Sequence, residues 1–188
     1  MKIYLVRHGF TQSNRARTES IDDQKLNKSG FNVLVNTRRT LEKYNIDKVY
    51  SSELKDATQT AGMLGYHDYI TDARLNELDF GDYSGQLLEE IQDHYQGVLD
   101  SEEDIFNLKY PGNESRNDLI KRTSEFLDEL VEKGEDALCI SHSLAIKAAL
   151  FWILKNKEDW DSFWIENGSV TIFEIHDDRK IIKGVNII

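Results

Sequence analysis

Ile3-Tyr4-Leu5-Val6-Arg7-His8-Gly9-Phe10-Thr11-Gln12-Ser13-Asn14 lies at the head of the chain. Four consecutive apolar residues read as a short buried strand. The stretch then turns abruptly to arginine, histidine and glycine. Gly9 lets the backbone approach a ligand closely. Working outward, the same alternation of apolar runs and helical periods recurs along the chain. Asn27 can cap a helix that begins near Lys28, with Phe31, Leu34, Val35 and Leu41 roughly on one face. Lys48 to Ser51 reads as a strand, followed by a helix through Ala57 and Leu64. Gln86 to Tyr95 and Ser115 to Glu132 read as amphipathic helices. Ala137 to Ser141 is a buried strand leading into a helix from Ser143 to about Leu154. Ser169 to Ile175 and Lys180 to Ile187 alternate in strand fashion around His176-Asp177-Asp178. Strands separated by helices predict an α/β fold: three layers, with a central, mostly parallel sheet flanked by helices. No repeat or linker interrupts it, so residues 1–188 read as one domain. Ligands of such sheets bind at the carboxyl ends of the strands.

The chain carries a formal net charge of -11. That balance argues against nucleic acid or an anionic membrane as partner, because both need a basic face. The single cysteine, Cys139, sits in an apolar run and reads as an inert buried thiol. One cysteine forms no internal disulfide, which suits a reducing compartment. The first residues lack the apolar stretch and cleavage site of a signal peptide, and His142 and Lys147 interrupt the longest apolar run. The expected location is cytoplasmic. The segment 86–114 reads as a cap over the site. Its acidic residues, Glu89 and Asp93 among them, weigh against highly anionic substrates, although a solvated helix face accounts for the same charges. Phe151, Trp152, Trp160, Phe163 and Trp164 read as core packing and helix docking, with a homodimer surface as the alternative.

Three strand ends carry the content that chemistry needs: Arg7-His8-Gly9, Ser51-Ser52-Glu53-Leu54-Lys55-Asp56 and Ser141-His142-Ser143. They bring two histidines from distant parts of the chain to one sheet edge. A histidine that attacks a phosphate ester must be unprotonated and held in one tautomer. Donors must balance charge on the equatorial oxygens, and an acid must protonate the leaving alkoxide. Arg7, Asn14 and His142 can supply the donors, with Ser143 beside them. Glu77, in the glycine-containing segment from Leu75 to Gly85, is the acid candidate. Each piece also has a plainer reading: a turn at Arg7-His8-Gly9, a helix cap at His142, a solvated loop at Glu77. His8, His142, Asp56 and Glu77 also form a mixed nitrogen and oxygen set for a metal-dependent hydrolase, but lack a short-spaced ligand pair.

In order, these blocks resemble the histidine phosphatase superfamily, the phosphoglycerate-mutase-like branch. Leu5 to Thr11 with Asn14 is similar to its opening motif, and Asp23 to Gly30 to the loop that follows. Ser51 to Ala61 is similar to the second block and the Glu77 segment to the third. Pro111-Gly112-Asn113-Glu114-Ser115 with Arg122 resembles the fourth, Ile140 to Ser143 the fifth, and Asn167 to Val170 the last core strand. The resemblance implies a phosphomonoester phosphatase acting on a small-molecule phosphate ester. It implies a covalent phosphohistidine on His8, Arg7 and His142 as phosphate partners, Glu77 as proton donor, and no metal or cofactor. The short chain resembles the compact phosphatases more than the longer mutases. Arg122 is expected to be a surface charge or a helix-pairing residue.

The departures bear on activity. Asp56 stands where the family carries a second phosphate-binding arginine. The exchange alters the local charge by two units, and one pair at about 4 Å and an effective dielectric of about 20 is worth roughly 4 kcal/mol. Phe10, Ser143 and Asn113 replace a glutamate and two glycines. Three explanations of Asp56 stand side by side. A cation such as Lys55, Arg15 or Arg74 fills the gap; the substrate carries a positive group; or turnover is largely lost. The last makes the chain a catalytically weakened or inactive module that binds a phosphate ligand or a protein.

Overall fold

The computed structural model describes residues 1–16, 18, 24–87, 89, 91, 104–109, 114–177 and 179–188. In chain order the strands are β1 (Lys2–Arg7), β2 (Lys48–Ser51), β3 (Ile70–Thr71), β4 (Ala137–Ser141), β5 (Val170–His176) and β6 (Arg179–Ile187). The helices are α1 (Gln12–Ala16), α2 (Lys28–Leu41), α3 (Lys55–Leu64), α4 (Arg116–Lys133) and α5 (Ser143–Leu154). The six strands form one sheet in the order β3-β2-β4-β1-β5-β6. Pairings β3-β2, β2-β4 and β4-β1 are parallel, whereas β1-β5 and β5-β6 are antiparallel. The predicted three-layer α/β architecture is what forms.

Both faces of the sheet are covered, which is why β1 and β4 read as unbroken apolar runs. Ile3, Leu5, Ala137 and Cys139 pack on one side with Phe126 and Leu130 of α4 and Ile146 and Leu150 of α5. Tyr4, Val6, Leu138 and Ile140 point to the other side, against Leu34 and Leu41 of α2 and Ala57, Ala61 and Leu64 of α3. Burial pushes the Cys139 thiol far up, the condition of an inert core cysteine.

Local signals place the helix ends. Asn27 caps α2 by accepting a hydrogen bond from the Gly30 amide. Ser115 and Asp118 form a reciprocal capping box at the start of α4, and Gly134 closes that helix in the left-handed region.

Several expectations need correction. The buried face of α2 is Gly30, Leu34, Thr37, Thr40 and Leu41, spaced at helical intervals. Phe31 and Val35 lie outside that stripe and are exposed. The short β3 and the short 3-10 helices Ala73–Leu75, Gly81–Tyr83 and Lys157–Ser162 carry too few residues to leave a periodic signal. Most of the helix predicted from Gln86 to Tyr95, and most of the cap at 86–114, lies outside the described residues. Phe106, which is described, packs beside Trp160, Leu119 and Ala148. Trp152 and Trp160 are core residues, as expected, but Trp164 is 72 % exposed. No helix among the described residues is long and apolar enough to cross a membrane.

Gly30 joins α2 to the loop after β1. A Cβ there would stand 2.5 Å from the Phe10 carbonyl oxygen and 2.8 Å from its nitrogen. Helix propensity alone predicts that Gly30→Ala stabilises by up to about 1 kcal/mol. Overpacking against backbone costs about 1–3 kcal/mol, and backbone cannot swing aside as a side chain does. The expected net result is a loss of up to about 2 kcal/mol, read by urea denaturation. A gain in stability would show that α2 does not rest on this loop.

Candidate active site

β1 and β4 are central neighbours in parallel register, with Arg7 opposite Ser141. The residue that follows each strand is a histidine, so His8 and His142 emerge side by side with ring centroids 5.0 Å apart. β2 lies on the other side of β4 and delivers Ser52 and Asp56 to the same edge. His8, His142, Ser52 and Asp56 are all almost fully buried.

Hydrogen bonds set the state of each ring. His8 Nδ1 lies 2.8 Å from the Gly9 carbonyl oxygen. A carbonyl only accepts, so Nδ1 carries the proton and Nε2 keeps a free lone pair. Burial and the neighbouring Arg7 hold the His8 pKa down at about 3, against the raising effect of the Gly9 bond. A neutral imidazole with an unprotonated Nε2 is the form that attacks phosphorus.

His142 is the opposite tautomer. The Ser52 hydroxyl donates to Asn76 Oδ1, an oxygen identified by the Glu53 amide that also donates to it. Ser52 Oγ therefore accepts from His142 Nε2, at 2.8 Å, and from the Leu54 amide. The proton on Nε2 leaves His142 Nδ1 as a bare acceptor, buried and without a hydrogen-bond partner. Burial is the main cause that holds the His142 pKa at about 3.

Arg7 is half-buried, with its Nε shielded from solvent. Its Nη1 donates to the Ile165 carbonyl, and its Nε has no partner. Burial lowers its pKa, opposed by the charges of Glu77, Glu166 and Asp56. A half-buried guanidinium with an unused donor suits an anionic ligand. Asn14 Oδ1 accepts from the Thr11 amide and hydroxyl and from Asn167 Nδ2, which leaves its own amide group to donate. Ser143 is half-buried at the first position of α5, next to His142.

Glu77 is no solvated loop residue. Its carboxylate accepts from the amides of Leu78, Leu144 and Ala145, the last two in the first turn of α5. Burial outweighs these bonds and Arg7 and raises its pKa, so it holds a proton more readily than an exposed glutamate. That suits a proton donor. Arg122 is also no surface charge. It donates to the carbonyls of Arg74, Asn76 and Glu77 and pairs with Glu114, whose carboxylate also accepts from the Asp79 amide. It pins the segment that presents Glu77. The only trace in the sequence was its spacing from Glu114, which placed it in the fourth block without revealing what it holds.

Asp56 points inward. Its Oδ2 lies 3.4 Å from His8 Nδ1 and 3.8 Å from His142 Nδ1. Neither contact is an ion pair while the rings are neutral. Gln24 Nε2 donates to Oδ2 at 2.9 Å, and the Ala57 amide to Oδ1 at 2.8 Å. Of the cations expected to replace the missing arginine, Arg74 is committed to Asp72 and Glu129, and Arg15 is exposed on α1.

Comparison with known proteins agrees with this geometry. The profile of the histidine phosphatase superfamily, branch 1, matches residues 3–188. Phosphoserine phosphatase 1 of Hydrogenobacter thermophilus is 26% identical over 100% of this chain and 92% of its own. Human 6-phosphofructo-2-kinase/fructose-2,6-bisphosphatase 1 is 32% identical over 84% of this chain, which spans 33% of that longer protein. A mycobacterial glucosyl-3-phosphoglycerate phosphatase, solved with VO3, superposes with a TM-score of 0.84 at 27% identity, covering 98% of each chain. Two histidines at adjacent strand ends, a half-buried arginine and a protonatable glutamate thus stand in a frame shared from end to end, and the chain belongs to the histidine phosphatase superfamily.

Proposed function

We propose that this chain is a phosphomonoester phosphatase that works through a covalent phosphohistidine on His8. It is a phosphoric monoester hydrolase in class, as its family and relatives are. The observation that carries the mechanism is the His8 ring, neutral, with Nδ1 tied to Gly9 and Nε2 free. Nε2 attacks phosphorus, the phosphorus–oxygen ester bond breaks, and the leaving alkoxide takes the Glu77 proton. Water then attacks the phosphohistidine and returns a proton to Glu77. Phosphate leaves and His8 is restored. Arg7, with Asn14 and Ser143, holds the phosphoryl oxygens, and His142 joins them only when its Nδ1 carries a proton to donate. The substrate is a small phosphate ester. The acidic chain supports a protein that binds no nucleic acid, and the free, buried Cys139 supports a reducing compartment such as the cytoplasm. Exposed Trp164 supports a homodimer contact.

Asp56 supports a second reading, a family member that binds phosphate ligands with little or no turnover, because its carboxylate occupies the clamp position. Rapid-quench reaction with a labelled aryl phosphate separates the two. The phosphatase reading expects label on the protein that acid releases and alkali does not, followed by steady turnover. Ligand binding without labelled protein, or label that survives acid, overturns it.

A further inference from the structure

His142 Nδ1 is a lone pair in the protein interior, and the group it faces is a carboxylate oxygen. Two acceptors 3.8 Å apart, both desolvated, repel unless a cation lies between them. His8 completes a triangle: one nitrogen of each histidine and one Asp56 oxygen lie within 4.8 Å of one another. In a tetrahedral zinc site with bonds of about 2.0–2.1 Å, neighbouring ligand atoms stand ~3.3 Å apart. The observed 3.4 Å from Asp56 Oδ2 to His8 and 3.8 Å to His142 need only small contractions to reach that spacing.

We propose that Asp56 converts this phosphate pocket into a site for one divalent transition-metal ion, held by His8, Asp56 and His142. Two imidazoles and one carboxylate suit zinc and its first-row neighbours better than magnesium or calcium, which prefer all-oxygen shells. Three protein ligands leave a fourth position open. The surroundings favour this arrangement. The Ser52 hydroxyl fixes His142 in the tautomer whose Nδ1 can ligate. Gln24 steadies the ligating Asp56 oxygen from outside, the role of a supporting hydrogen bond around a metal. The positive charge of Arg7 is opposed by Glu77 and Glu166. Glu77, a fourth candidate by sequence, is not a ligand here because backbone amides occupy its carboxylate. To ligate through Nδ1, His8 must move its proton to Nε2 and give up its bond to Gly9. The bound ion therefore blocks attack of Nε2 on phosphorus until it leaves.

The test is titration of chelator-treated full-length protein with Co²⁺ and with Zn²⁺, without substrate. Wild type is expected to take up one ion, with Kd of about 1 µM or tighter and the intense visible absorption of four-coordinate cobalt. Asp56→Asn keeps the shape but removes the ligand charge, and His142→Ala removes one imidazole. Each is expected to weaken binding about 100-fold or more and to abolish the cobalt bands, with unchanged circular dichroism as the folding control. Failure of wild type to bind either ion overturns the proposal. Wild-type binding in both variants also overturns it and moves the ion elsewhere, for instance to the exposed His176–Glu174 pair. Turnover is not read in this experiment. Its failure leaves the phosphohistidine mechanism standing, and loss of the phosphoenzyme in rapid quench leaves the metal site standing.

Discussion

His8→Ala is expected to hydrolyse generic aryl phosphates at least about 10⁴-fold more slowly than wild type, because no other group replaces a covalent nucleophile. The nearest candidate is His142, whose Nε2 is protonated and bonded to Ser52 and whose Nδ1 faces Asp56. Neither nitrogen can attack phosphorus without dismantling that network. Substrate affinity should change far less than turnover, since Arg7, Asn14 and Ser143 remain in place. Steady-state assays with p-nitrophenyl phosphate and a chelator present give the measurement. Equal rates in His8→Ala and wild type would show that the covalent mechanism is wrong.

Asp56→Arg should raise turnover of the same ester by about 10²–10³-fold, the factor that loss of one transition-state donor commonly costs. The sign follows from charge. A phosphoryl group at His8 lies near the Asp56 carboxylate, and repulsion between the two increases as charge develops on the transferred oxygens. Arginine reverses that interaction and restores a two-pronged donor. The new side chain is larger and displaces the Gln24 amide that now donates to Asp56. The assay compares kcat and KM of both proteins over a panel of phosphate esters. A loss of activity across the panel would instead assign Asp56 to recognition of a positively charged substrate group. The same variant should lose the metal ion, so the two changes are measured on one preparation.

Local patterns carried much of the molecule. Ile3 to Val6 and Ala137 to Ser141 announced themselves because a strand covered on both faces is apolar at every position. Asn27 and Ser115 announced helix starts because a cap satisfies amides a few residues away. The α2 stripe was misassigned because Phe31 and Val35 are as apolar as the residues that pack; which side meets the sheet depends on Gly30 touching the Phe10 backbone. Arg122 was undervalued because its partners, from Arg74 to Glu77, lie 45–48 residues away.

By itself the sequence determined the α/β class, the order of the blocks, His8 and His142 at strand ends, and the presence of an aspartate where the family resemblance implies an arginine. These follow from short-range periodicity and from residue identity. Only the tertiary structure decided that Asp56 faces both rings, that the two histidines hold opposite tautomers, and that Glu77 is buried on the first turn of α5. The physical reason is common to all three. The His142 tautomer, its buried lone pair and the distant partners of Asp56 and Glu77 depend on groups 32 to 90 residues away in the chain, which meet only when β1, β2 and β4 align their ends.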